Sequence, residues 1–320
     1  VKRALKLLLV FILSISLGAW LMSRLFSAPT ATLSDSGTPP VTLPDLRQVP
    51  GAENASPITS GSGAQSSARE ERAFRPVPPS GASPTPPAGL RWPITRDWVD
   101  FELNSEGYAV AYGDVLLGKP IHEDGPKRGR GEAQAPQLWQ SPVIPFAIDP
   151  ALPRPERVRA AIEVFERSTS IRFKPYDGER DAIQFERGEQ HCYSFLGRVG
   201  GVQPIKLSDK CGSSEIVHEI MHALGFVHEH SRTDRDAHVE VLWENIDPQF
   251  EAQFAMAPER WMSAYRGLGF DLQSAMLYRP DTFARAEGLS VLKARGQGAI
   301  APVSEGLSAG DIEKIRSVYR

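Results

Sequence analysis

The chain's 320 residues allow two domains by length, but 27 Pro and 27 Gly mark part of it as unable to pack, so one compact domain with extensions is expected. A formal net charge of −3 supplies no basic field, and no nucleic-acid partner is expected. Only two cysteines occur, Cys192 and Cys211, which excludes a disulfide-dense scaffold and a Cys-rich zinc finger and leaves at most one intrachain bridge.

Lys2, Arg3 and Lys6 precede an apolar run at 7–22, the charge order of a secretory leader. The run is long for a signal core and short for a spanning helix, which takes about 20 residues. Residues 1–27 therefore read as a signal peptide or an N-terminal membrane anchor, with the remainder exported and membrane contact confined to this segment. Residues 28–93 hold 13 of the 27 prolines among Ser, Gly, Thr and Ala. Such a stretch cannot bury enough apolar surface to offset its chain entropy, and it reads as a disordered linker.

Residues 94–134 form a short region, and a stretch from Trp92 through Val110, Tyr112 and Val115 to Leu117 looks structured. Within it, 113–119 follow the spacing of a phosphate-binding loop as far as Lys119, but Pro120 stands where a Ser or Thr hydroxyl is required, so nucleotide binding is not expected. Residues 125–134 read as an exposed loop in which Lys127, Arg128 and Arg130 invite proteolysis. Regular structure is expected from Gln137 onward. A strand is predicted at 143–148, followed by a helix at 155–168 with Val158, Ala161, Ile162 and Phe165 on one face. Short β runs are predicted at 171–173, 183–185, 193–196 and 204–207. Ser308 and Asp311 are expected to cap a last helix whose apolar stripe is Ile312, Ile315, Val318 and Tyr319.

The segment from His218 to His228 carries the chemistry. Ser213 or Ser214 can cap a helix on which His218 and His222 lie one turn apart, a spacing that lets two imidazoles share one metal, with Glu219 beside them. Gly225 can take the left-handed geometry that ends a helix and turns the chain back, delivering His228 as a third ligand. Three imidazoles leave the fourth position of a Zn2+ ion open, the arrangement of a catalytic site. Three His, one Glu and one Gly at these offsets arise by chance with a probability on the order of 10⁻⁵, so a metal reading outweighs incidental histidines. The remaining histidines, His122, His191, His230 and His238, lack such spacing and are not expected to be ligands.

These residues resemble the astacins, a family of metzincin zinc endopeptidases. The resemblance continues through Glu229, Arg232 and Asp234-Arg235-Asp236, and through Ser274-Ala275-Met276-Leu277-Tyr278, which is similar to the family's Met-turn. Upstream, Leu138-Trp139 with Val143-Ile144-Pro145-Phe146 resembles the first strand of an astacin catalytic domain. Cys192-Tyr193-Ser194 with Gly197-Arg198 and Gly200-Gly201 resembles its substrate-flanking edge strand.

The resemblance covers about residues 136–320. It implies an α+β metzincin-type domain, here 135–320, with a twisted, mostly N-terminal sheet, helices, and an active-site cleft between two subdomains. It further implies one Zn2+ per chain on His218, His222 and His228, with Tyr278 as a displaceable further ligand. Glu219 would be the general base, Met276 the floor of the site, and Glu229 the acceptor of the new N-terminal amine after maturation.

Ala111-Tyr112-Gly113-Asp114 is similar to the family's prosegment element, with Ala where Phe is expected. That likeness implies Asp114 as the proenzyme zinc ligand, with 94–134 as prosegment and 127–130 as the place where an activating protease cuts. A Cys192–Cys211 bridge is expected in an exported domain, contributing about 3 kcal/mol in the chain-entropy model. Protein or peptide substrates follow from the family. The competing reading, an inactive zinc-stabilised scaffold on a tether, gives no physical reason to keep Glu219.

Overall fold

A computed structural model describes residues 76–77, 98–120, 126–132 and 134–320. The expected leader (1–27), all of the expected linker except 76–77, and His122 lie outside the described residues.

Among the described residues ten strands form one sheet, and its two halves have different characters. In the C-terminal half, β6 (Val143–Ile148), β7 (Arg172–Pro175), β8 (Ala182–Arg187) and β10 (Val202–Leu207) run parallel in the order β10-β8-β6-β7. β9 (Cys192–Phe195) pairs antiparallel with β10 along their edge. Parallel strands need crossovers that cover the sheet. Helix α1 (Glu156–Ser168) supplies one, burying the predicted stripe of Val158, Ala161, Ile162 and Phe165. Each large apolar side chain so buried contributes about 1.5–3 kcal/mol. Helix α2 (Ser213–Ala223) packs beside α1 and buries Ile216, Val217, Ile220 and Met221 in the same core.

The N-terminal half corrects the expectation of a loop at 125–134, where 128–132 are a strand. β2 (Trp98–Leu103), β3 (Ala109–Ala111), β4 (Val115–Gly118) and β5 (Arg128–Glu132), with β1 (Pro76–Val77), make antiparallel pairs in the order β1-β5-β2-β3-β4. β4 then joins β9 in parallel, with Val115 opposite Ser194 and Leu116 opposite Phe195. The phosphate-loop lookalike is therefore a hairpin turn and strand. Residues 128–132 are a strand hydrogen-bonded on both sides, although RGRGE has little β propensity. Arg128 pairs with Glu102 and Arg130 with Asp100 across the β2/β5 ladder.

A second, smaller core is built from Val241, Ile246, Phe254, Leu277, Val291 and Leu292. It contains the two-stranded pair of β11 (Val239–Val241) and β12 (Leu292–Ala294). The chain closes with α3 (Ala309–Val318), capped as expected: Ser308 Oγ accepts from Asp311 N–H at 2.9 Å and Asp311 Oδ2 accepts from Ser308 N–H at 3.1 Å. Its buried face differs from the predicted stripe. Asp311, Lys314 and Ile315 are buried, while Ile312 and Val318 are only half-buried. Tyr319 follows the helix, buried, and donates to Leu224 O at 2.6 Å. No helix among the described residues is long and apolar enough to cross a membrane.

Candidate metal centre

Helix α2 is capped by neither expected serine. Gly212 is the cap, its N–H bound by the Glu215 carboxylate at 2.8 Å, while the Ser214 hydroxyl reaches away to Ser304 O. The helix ends as predicted. Gly225 takes φ +100°, its N–H donates to His222 O at 2.8 Å, and Phe226 N–H donates to Met221 O at 3.1 Å, a complete Schellman motif. Two residues on, the chain has turned far enough for His228 to face the helix.

His218 and His222 Nε2 lie 3.0 and 3.3 Å from His228 Nε2. Asp114 completes the cluster: its carboxylate is 3.3 Å from His218 Nε2, 3.3 Å from His222 Nε2 and 3.1 Å from His228 Nε2. All four ligand atoms lie within 4.8 Å of one another. A tetrahedral ion with bonds of about 2.0–2.1 Å separates its ligands by about 3.3 Å, close to the 3.0–3.3 Å separations to His228 and Asp114.

The tautomers point the same way. His218 Nδ1 donates to Ala275 O at 2.9 Å and His222 Nδ1 to Phe226 O at 2.8 Å. A carbonyl can only accept, so each Nδ1 carries the proton and each Nε2 lone pair faces its neighbours. Buried lone pairs converging on one point require a cation there, and the donor set fits zinc.

Burial pulls His222 down to about 4 and also lowers His228. Burial likewise opposes charge on His218, but the Asp114 carboxylate beside it raises that group. Asp114 is itself held well below the usual carboxylate range: burial opposes ionisation, and the three imidazoles outweigh it. Glu219 is buried next to the cluster, and its Oε2 has no hydrogen-bond partner. Burial first, and then the charge of Asp114, push its carboxyl well above the ordinary range.

Tyr278 packs its ring against that of His228, 5.0 Å between centroids. Its hydroxyl donates to Tyr112 O and to Gln253 Oε1, both at 3.2 Å, and its ring lies 3.9 Å, centroid to centroid, from that of His230. Met276 is buried beneath, its carbonyl accepting from Glu229 N–H at 2.8 Å. Both oxygens of Glu229 accept from Lys314 Nζ at 2.7 Å, and Oε1 also accepts from Arg232 Nη1 and from Asp271 N–H. Cys192 and Cys211 are disulfide-bonded and tie β9 to the approach to α2.

Lys314, Gln253 and the buried His230 carry no signal in the sequence, because their partners lie 23 to 85 residues away. His191 sits edge-on to Tyr193 and His238 stacks on Phe270, both outside the metal cluster.

A family model described as Astacin, a peptidase family, matches residues 131–320. The chain belongs to the astacin family. Among astacin relatives, zinc metalloproteinase nas-6 of Caenorhabditis elegans is 36% identical over 187 residues, covering 57% of this chain and 53% of that protein. Astacin-like metalloendopeptidase of Gallus gallus is 36% identical over 181 residues, covering 55% and 43% respectively. The chain thus spans about half the length of these relatives. A solved structure, high choriolytic enzyme 1 (HCE-1), a hatching enzyme zinc-protease from the medaka Oryzias latipes, aligns over 58% of this chain and 94% of its own, at 31% identity and TM-score 0.51. The fold is that of an astacin, and the metal of this family is zinc.

Proposed function

We propose that this astacin is a zinc metalloendopeptidase acting on protein or peptide substrates, exported behind residues 1–27 and held latent by residues 94–134. The carrying observation is the convergence of three imidazole Nε2 atoms beside a buried glutamate whose Oε2 has no partner.

When bound, zinc polarises a peptide carbonyl and lowers the pKa of a coordinated water from 15.7 toward about 7. Glu219 takes a proton from the attacking water and returns it to the leaving amine. Asp114 opposes the first of these steps, because its negative charge helps to keep Glu219 protonated. Withdrawal of Asp114 removes that contribution and frees the space it fills among the imidazoles. Tyr278 loses one of its two acceptors, Tyr112 O, at the same time. Its hydroxyl can then donate toward the charge that develops on the carbonyl oxygen, or join the imidazoles on the metal.

Activation by a protease at 127–130 meets an obstacle that a loop would not present, since residues 128–132 are β5. A protease binds its substrate as a single extended strand, so β5 must open locally before it can be cut there. Mature enzyme carrying its new N-terminal amine toward Glu229 would have to share a carboxylate already bound by Lys314 and Arg232.

The deciding experiment is casein cleavage by processed wild type and by Glu219→Ala. The variant is expected to lose about 10²-fold or more in rate while retaining one zinc per chain by elemental analysis. Undiminished cleavage by the variant would sink the proposal, as would a processed, zinc-loaded wild type that cleaves nothing.

A further inference from the structure

Helix α3 carries two fully buried charged residues one turn apart. Asp311 is 0% and Lys314 is 2% exposed. Charged groups are almost never buried to that extent unless paired, and both of these reach the same neighbourhood.

Asp311 Oδ2 accepts from Ala275 N–H at 2.8 Å and from the Ser308 N–H, and Oδ1 accepts from Ser274 Oγ at 2.6 Å. The residue it grips is the one whose carbonyl, on Ala275, accepts from His218 Nδ1. Lys314 Nζ donates to both oxygens of Glu229. Glu229 directly follows His228, and its own N–H is tied to Met276 O. One helix face therefore ends, through one intermediary each, at two of the three imidazoles.

The intermediaries are themselves joined. Ser274 Oγ accepts from Met276 N–H at 3.0 Å, so the Asp311 and Lys314 branches meet in the 274–276 turn. Asp271 links them again: its N–H donates to Glu229 Oε1, and its carboxylate accepts from the Ser308 hydroxyl at the start of α3. A stabilising helix could have buried Leu or Ile at positions 311 and 314 with no desolvation cost. The charges are informative because charge-assisted hydrogen bonds, from neutral donors to Asp311 and from Lys314 to Glu229, fix direction as well as distance.

We infer that Asp311 and Lys314 are positioning residues for the metal centre: together they make the C-terminal helix hold His218 and His228 at the separation that one zinc ion requires. The inference rests on the zinc reading and goes beyond it. The helix remote from the ligand motif sets metal affinity through Ala275 and the Glu229 carboxylate, and α2 alone does not.

The test is zinc affinity of the full chain, measured by competition with a chromophoric chelator, together with the visible spectrum of the cobalt-substituted protein. Asp311→Asn and Lys314→Gln remove charge with little change of volume. Each is expected to weaken zinc binding about 10- to 100-fold and to shift the cobalt bands, the usual scale for partners that orient metal ligands. Arg157→Met is the control. Arg157 is a buried cation on α1 that bonds the carbonyls of Ser208 and Cys211 and touches no ligand. It is expected to lower thermal stability and leave both metal readouts unchanged.

Zinc affinities of Asp311→Asn and Lys314→Gln within threefold of wild type would overturn the inference, as would losses no larger than that of Arg157→Met. Failure of both variants to fold with zinc in excess would also overturn it, since the two residues would then be general supports of the fold. A wild type that binds no zinc would refute the zinc reading itself, which keeps the two failures distinguishable.

Discussion

Asp114 reaches the imidazoles because the two residues before it leave ordinary backbone space. Tyr112 adopts φ +53° and Gly113 φ +92°, which folds 112–114 into a tight turn between β3 and β4. A Cβ on Gly113 would stand 2.6 Å from Gln253 Oε1, the end of a flexible side chain that can move aside, so it is the backbone angle that requires glycine. Tyr112 has no such freedom, and the cost of its left-handed backbone, about 1 kcal/mol or more, is offset by fixed contacts. Its ring meets Trp261 edge-on at 5.8 Å and its hydroxyl donates to Met256 O. Strain held in place beside a half-buried carboxylate fits the latch proposed for Asp114. Asp114→Ala is therefore expected to make the uncut chain cleave casein, whereas uncut wild type does not. Equal silence of the two uncut proteins, each with zinc bound, would remove Asp114 from the account of latency.

At the scale of elements, the exit from α2 and the face of α3 show what a sequence reveals and what it hides. The α2 exit is legible because every residue involved is local. His218, His222 and His228 are fixed by offsets within one helix and one turn, and Gly225 announces the left-handed residue that joins them. Gly225→Ala tests that geometry. A side chain at φ +100° costs roughly 1–2 kcal/mol, and its Cβ would lie 3.1 Å from Leu138 Cδ2. Melting temperature and zinc affinity are expected to fall together, because relief of the strain displaces His228. Loss of stability with unchanged zinc affinity would show that His228 is placed by something other than this turn.

The face of α3 is not legible in the same way. Its apolar residues suggest a stripe through Ile312 and Val318, but the burial of Lys314 depends on Glu229, 85 residues earlier in the chain. Only tertiary structure brings the two together, and so the charge at 314 reads in sequence as a solvated one. The same limit hides β5. Its Gly and Arg content argues for a loop, while its ladders to β1 and β2 make it a strand.

Across the whole molecule, the N-terminal strands are held on the catalytic sheet by few but varied contacts. The β4/β9 ladder contributes two residue pairs, and Asp114 docks one strand end on the imidazoles. A third anchor lies at the β2–β3 turn. Glu106 accepts from Lys206 Nζ at 2.7 Å and from Glu189 N–H at 3.3 Å, and Lys206 also pairs with Glu186 at 2.8 Å. Tyr108 from the same turn meets Phe195 of β9 edge-on, with Lys206 5.7 Å from its ring centroid.

Lys206 is only 13% exposed, so its pair with Glu106 is shielded enough from solvent to matter. The two carboxylates raise its pKa against the opposing effect of burial, keeping it charged in the bound state. Glu106→Gln leaves Asp114 and the ladder intact and removes one charge-assisted bond, worth about 1.5–3 kcal/mol. Once the chain is nicked before the catalytic domain, the N-terminal fragment of Glu106→Gln is expected to dissociate about 10- to 100-fold more readily than that of wild type. Its release should also depend slightly less on salt, because a charge pair that is still partly open to solvent has been removed. Size-exclusion chromatography of the nicked proteins at low and high salt measures both effects. Identical elution under both conditions would show that the Glu106 pair adds nothing to the grip on the N-terminal strands.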